Sequence, residues 1–157
     1  MGSPEPLSGV LVVVPCGQRK IWGEHPDLGA VLAKNAYTGA PFKVNRAFAE
    51  RFGDRWVILS AKYGFIAPDF PIPGPYNVTF KKPSTQPITV DALKTQAAEQ
   101  GLYRFAMVLA LGGREYLTIL RQVFQDRGPR LCQPYAGLSL GRAMQAVKSA
   151  MEEGHPC

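Results

Sequence analysis

Apolar positions along the chain recur at two spacings, and each spacing predicts a kind of element. The run Val10 to Val14 is short, β-branched and continuous rather than alternating, the pattern of a strand covered on both faces of a parallel sheet. Trp56 to Leu59 and Phe105 to Leu111 repeat that pattern, and Arg130 to Cys132 is a candidate short fourth strand. Between the strands the period lengthens to that of a helix. Residues Pro41 to Phe52 carry Phe42, Val44, Ala47, Phe48 and Phe52 at helical spacing, with Pro41 in the first turn and Gly53 as the stop. Thr89 caps a helix from Val90 to Gln100, ended by Gly101, with Ala92, Leu93, Ala97 and Leu102 on its buried face. Gly112 and Gly113 introduce an amphipathic helix through Tyr116, Leu117, Leu120, Val123 and Phe124, and a last helix from Gly141 to Glu152 carries Ala143, Met144, Val147 and Met151.

Buried strands alternating with helices imply parallel pairing and right-handed crossovers, hence a three-layer α/β/α sandwich with a mostly parallel, Rossmann-like sheet of about four strands. The expected organisation is one α/β domain over 9–153, with a flexible tail at 1–8 and another at 154–157. One stretch breaks the alternation. "SAKYGFIAPDFPIPGPYNVTF", from Ser60 to Phe80, holds four prolines and two glycines and is expected to be a long irregular loop. Loops of that length inside a compact domain are usually functional.

Composition adds boundaries. The 157 residues, 46% apolar and 19% charged, suit one globular core. The 18 Lys and Arg against 12 Asp and Glu give a net charge of +6, which favours anionic partners such as nucleic acid or phosphorylated molecules, although the basic residues are scattered rather than run together. Cys16, Cys132 and Cys157 have no CxxC spacing and imply neither a metal site nor a disulfide framework, so no metal or other cofactor is expected and a reducing, cytoplasmic setting fits best. No apolar stretch is long enough to span a bilayer, and no membrane partner is expected.

In sheets of this class ligands bind beyond the carboxyl ends of the strands, where the strand order reverses. Those ends carry "PCGQRK", "SAKYG", "LGGRE" and "PYAGLS". Cys16 follows the first strand and is either a nucleophile, with Arg19 and Lys20 close by, or a small residue packing the sheet edge. Gly17 and Lys20 suit a positive lip for a phosphate or carboxylate. Ser60, Lys62, Tyr63 and Gly64 follow the second strand, and Asp69 and Tyr76 lie between prolines that would hold them rigidly. Asp69 is either a general acid or base and reader of a base edge, or a turn residue. Gly112 and Gly113 complete neither a dinucleotide fingerprint nor a P-loop, yet permit close backbone approach to a ligand. Tyr116 and Tyr135 are further ligand-binding candidates, Arg142 near a helix start either reaches an anion or is simply solvated, Arg114 begins a helix, and His25 and His155 are isolated.

Together "VVPCGQRK", "AYTGAPF", "ILSAKYGFIAPDFPIPGPYNVTF", "LALGGREY" and "GLSLGRAM" resemble a bacterial and phage family of small proteins of unknown function, from Val12 to Met144. The stretch bearing Ser60, Tyr63, Gly64, Pro68, Asp69, Pro75 and Tyr76 is also similar to the central motif of the YaaA peroxide-stress family. A weaker resemblance, through Pro15 and Cys16 and through Gly64, Pro68 and Asp69, is to the base-handling domain of archaeosine synthase. These resemblances imply DNA binding on one side and base chemistry on the other, and a pocket for a purine-like base in common. The expectation is therefore a nucleobase- or nucleotide-binding protein, with N-glycosidase or base-modifying chemistry on a purine, free or within DNA or RNA. In it Asp69, Lys62 and Cys16 act as catalytic groups and Tyr63 and Tyr76 stack or hydrogen-bond. The alternative is a noncatalytic DNA-binding or stress-response module using the same basic edge.

Overall fold

The computed structural model describes residues 8–154. In chain order its elements are β1 (Val10–Pro15), β2 (Val31–Leu32), α1 (Ala33–Ala36), α2 (Ala40–Phe52), β3 (Arg55–Ser60), β4 (Gly64–Ile66), β5 (Pro71–Ile72), α3 (Val90–Glu99), β6 (Met107–Ala110), α4 (Arg114–Phe124), β7 (Arg130–Cys132) and α5 (Leu140–Glu153). The central sheet has five strands in the order β4-β3-β1-β6-β7. β1 pairs in parallel with β3 and β6, β6 pairs in parallel with β7, and β4 runs antiparallel to β3. The fold is thus the expected α/β sandwich, with one strand more than anticipated.

The continuous apolar run of β1 is explained by its position. It is the middle strand, and Leu11, Val12, Val13 and Val14 are all fully buried. Successive side chains face opposite layers. Val12 and Val14 pack with Ile58, Leu109 and the α2 and α5 residues Phe42, Phe48, Val147 and Ala150. Leu11 and Val13 pack with Val57, Leu59, Val108 and the α3 and α4 residues Leu93, Ala97, Leu117 and Leu120. Ser60 continues the first of these two faces and is, among the described residues, the one fully buried polar residue.

The helices begin as their sequences direct. Thr89 Oγ1 accepts the Ala92 amide at 3.1 Å, and Ser139 caps α5 by accepting the Arg142 amide. On α2 Phe42 and Phe48 are buried and Val44 and Phe52 pack on the same core as expected, but Ala49 is the buried alanine and Ala47 is exposed.

The proline-rich stretch is not wholly irregular. β4 lies within it, its Phe65 paired with Leu59 of β3, and β5 forms a two-residue antiparallel ribbon with β2 through Val31 and Ile72. Pro71 is tolerated because the ribbon has only two strands and its other edge needs no donor. Ser8 and Gly154, assigned above to tails, are tied to the body. The Ser8 amide donates to Arg104 O at 3.4 Å, and the Gly154 amide closes α5 on Ala150 O at 2.7 Å. Cys132 is disulfide-bonded, a pairing that the cysteine spacing does not announce. No helix among the described residues is long and apolar enough to cross a membrane.

Candidate functional site

Strand order reverses at β1. The chain leaves β1 toward β3 on one side and returns to β6 on the other, so the loops after β1 and after β6 diverge and leave a crevice between them. A cavity of about 210 Å³ opens there, lined by Cys16, Gly17, Gln18, Lys20, Tyr76, Asn77, Val78, Thr79 and Tyr116. A second hollow of about 360 Å³ shares Cys16, Gly17, Gln18, Thr79 and Tyr116 with it and extends past Arg19, Lys81 and Leu140. No carboxylate among the described residues lines either space.

Tyr76 on the inner wall is backed by a set of hydroxyls held by the turn that follows β3. Ser60 Oγ accepts the amides of Lys62 at 3.2 Å and Tyr63 at 3.1 Å, a local turn that caps the end of the strand. The same oxygen lies 2.9 Å from the Tyr76 hydroxyl, which lies 2.6 Å from that of Tyr37. Behind Tyr76 its ring meets Tyr63 edge-on at 5.5 Å, and Tyr63 meets Phe70 at 5.4 Å. Gly64 makes this wall possible. It has φ +78°, and a Cβ there would lie 2.1 Å from Gln96 Oε1. Gln96 instead uses that oxygen to accept the Phe65 amide at 2.8 Å and its Nε2 to donate to Tyr63 O at 3.0 Å, fastening the loop to α3.

Opposite stand Cys16 and Tyr116. Cys16 Sγ and the Tyr116 hydroxyl are 3.3 Å apart, and Phe80 meets the Tyr116 ring edge-on at 5.5 Å. Gly112, with φ +120°, lets the β6–α4 turn pass close to Pro15, where a Cβ would lie 2.9 Å from Pro15 Cγ. Lys20 completes the enclosure, its Nζ 4.4 Å from the centroid of the Tyr76 ring and 5.9 Å from that of Tyr37. It donates to Gln18 O at 3.4 Å and forms no salt bridge among the described residues.

Burial governs the ionisation of these groups. It pushes the phenols of Tyr37, Tyr76 and Tyr116 well above the ordinary range, with the nearby Cys16 sulfur adding to the effect, so all three are neutral donors. Burial lowers the Lys20 ammonium, against a smaller opposing pull from Cys16.

Of the residues expected from sequence, Cys16, Gly17, Lys20, Tyr76 and Tyr116 line the cavity, and Ser60, Tyr63 and Gly64 form the support behind it. Lys62 is exposed at the margin, its Nζ 5.3 Å from the Tyr63 ring centroid and 5.8 Å from that of Tyr76. Asp69 is exposed on the tight turn in which the Phe70 amide donates to Ala67 O, and it lines neither space. Gly112, Gly113, Arg114 and Tyr135 border a separate hollow of about 450 Å³ between α4 and the segment after β7. Arg142 is exposed in the first turn of α5, His25 is exposed, and His155 lies outside the described residues. Sequence reasoning missed Tyr37, Gln18, Asn77, Val78 and Thr79. Tyr37 stands in the quoted "AYTGAPF", and the signal that could have found it is an aromatic directly before a Thr-Gly turn.

Across residues 11–149 the chain matches a family model described as a family of unknown function, DUF6884. It is similar to an uncharacterized protein, YfjM, of Bacillus subtilis (strain 168), with 36% identity over 146 residues, which are 92% of this chain and 97% of that protein. No solved structure gives a significant match.

Proposed function

This chain belongs to the DUF6884 family, and on that footing we propose that its cavity at the β1–β6 crevice binds a nucleobase-bearing anion, a nucleotide or a base carried by nucleic acid. The observation that carries this reading is Lys20. A half-buried ammonium without a carboxylate partner, set over an aromatic ring inside a cavity, is a charge waiting for a counter-ion that the ligand supplies. Tyr76 and Tyr116 offer apolar ring faces to a planar ring, the Tyr116 hydroxyl itself donating to Cys16 O at 3.4 Å, and the space is open enough for one ring with its substituents. The similarity of the Ser60-to-Tyr76 stretch to the YaaA motif supports the same reading, since two members of that motif, Ser60 and Tyr76, are bonded to each other at the cavity wall.

For chemistry, base-modifying or glycosidic-bond reactions remain the class that we propose, with Cys16 as the reactive group inside the cavity. Lys62 is assigned to the margin, where it meets phosphate, and Asp69 to contacts with whatever projects beyond the cavity.

The test is a thermal-shift screen against nucleobases, nucleosides, nucleotides and short single strands. A ligand at one hundred times its Kd stabilises by about 2.7 kcal/mol, roughly 5–10 °C in Tm for a domain of this size. The shift is expected to vanish in Lys20→Met and to survive in Asp69→Asn. A second reading is favoured by Arg19 and Lys81, which border the outer hollow: a noncatalytic module gripping nucleic acid through phosphates. Binding of oligonucleotides alone, falling steeply with salt and indifferent to Lys20→Met, would select it.

A further inference from the structure

The hydroxyl protons on the cavity wall can be counted. Ser60 Oγ has two lone pairs and receives two amides, so its one hydrogen is committed to the Tyr76 oxygen 2.9 Å away. The contact between Tyr37 and Tyr76 then has two directions. Tyr37 is 2% exposed, and its hydroxyl has two hydroxyl neighbours, Tyr76 at 2.6 Å and, less closely, Ser60, whose lone pairs are already taken by the two amides. Were Tyr76 the donor, the Tyr37 proton would be buried without an acceptor, a costly orphan. With Tyr37 as donor, both lone pairs of the Tyr76 oxygen are filled. Its own proton is then the one group left over, on a residue 7% exposed that lines the cavity.

We infer that Tyr76 is a fixed hydrogen-bond donor into the cavity and that, beside Lys20, it forms a subsite for an oxygen that only accepts, as in a phosphate or the keto edge of a base. The inference rests on the reading of this cavity as a ligand site. It excludes an amino group or a protonated edge from the inner wall, because every lone pair of the Tyr76 oxygen is occupied. Ser60 and Tyr37 act as positioning residues. Between them they fix the rotation of the Tyr76 hydroxyl before a ligand arrives, which lowers the ordering cost of binding.

The experiment is calorimetric titration of wild type, Tyr76→Phe and Tyr37→Phe with GMP, AMP, ribose 5-phosphate and inorganic phosphate. Tyr76→Phe is expected to weaken binding about tenfold or more, the loss typical of a hydrogen bond to a charged group. If the phosphate is the acceptor, the loss is the same for GMP, AMP and ribose 5-phosphate. If the keto edge is, it is confined to GMP. Tyr37→Phe is expected to leave affinity at or slightly below that of wild type. A gain in affinity there would mean that Tyr76 had been donating to Tyr37, and would overturn the assignment. Ligand binding by wild type that Tyr76→Phe leaves unchanged overturns the subsite while leaving the nucleotide reading intact. Tyr76-dependent binding of phosphate and ribose 5-phosphate, with no further gain from a base, supports the subsite and removes the nucleotide. Failure of all four probes to bind wild type removes both.

Discussion

Replacement of Gly64 by alanine tests whether the loop behind the cavity is held as described. The added Cβ imposes a left-handed conformation on a residue with a side chain, costing about 1–2 kcal/mol, and it occupies the place of Gln96 Oε1, 2.1 Å away. Gln96 must swing aside and surrender its bonds to the Phe65 amide and Tyr63 carbonyl, each worth about 1 kcal/mol. The expected loss is about 3–4 kcal/mol by these contributions, or roughly 6–16 °C in Tm for a domain of this length. Gln96→Ala forfeits the two bonds without the clash and is expected to cost about 2 kcal/mol. In the double variant no glutamine remains to be displaced. Its loss should match that of Gly64→Ala alone, short of additivity by about 2 kcal/mol. Urea denaturation of the four proteins measures the cycle. Additive losses, or a Gly64→Ala variant within about 1 kcal/mol of wild type, would refute the argument that this glycine is required by its contact with Gln96.

Gly112→Ala, with φ +120° and a Cβ 2.9 Å from Pro15 Cγ, is expected to cost about 1–3 kcal/mol from backbone strain and to push Tyr116 from Cys16, which faster alkylation of the thiol would report. Phenol titration followed by tyrosinate absorbance should leave Tyr37, Tyr76 and Tyr116 protonated until circular dichroism shows unfolding. Their pKa values are raised in the fold above an ordinary value of 10.0, so they favour folding fully below that pH and progressively cease to do so above it. Smooth ionisation of all six tyrosines before unfolding would contradict this. Lys20 has the opposite sign. Its lowered pKa means that the fold releases this proton before the unfolded chain does, so anion affinity should begin to fall at a pH below the usual lysine range, while Lys20→Arg should hold affinity to higher pH. Titration of affinity against pH in both proteins gives the answer.

Much of the fold was legible because the buried strands are continuous. Val10 to Val14 could be read as a doubly covered strand, since β1 is the middle of the sheet and each of Leu11 to Val14 is fully buried. Thr89 and Gly53 marked helix ends through their own local bonds, whereas the Ser139 cap, which starts α5 at Leu140 rather than Gly141, went unread. What was hidden is non-local. β4 is three residues long and exists because Phe65 returns beside Leu59, and β5 exists because Ile72 finds Val31 far back along the chain; neither pairing leaves a periodic trace. At the site, residues adjacent to strand ends were legible, whereas Tyr37 was not, for its hydroxyl reaches Tyr76 only after the chain has folded across the sheet edge. Asp69 looked chemical for the same reason that it suits a turn: a short acidic side chain after proline serves both, and burial alone separates the two.

The central claim is that the crevice between β1 and β6 is where this protein holds its ligand. A crystal structure grown with GMP tests it most directly. The account predicts the nucleotide in the cavity, with an accepting oxygen within hydrogen-bond distance of both the Tyr76 hydroxyl and Lys20 Nζ, and with Cys16 facing the ring. Nucleotide bound instead in the hollow beside Gly113 and Tyr135, with the Tyr76 cavity holding only solvent, would contradict it.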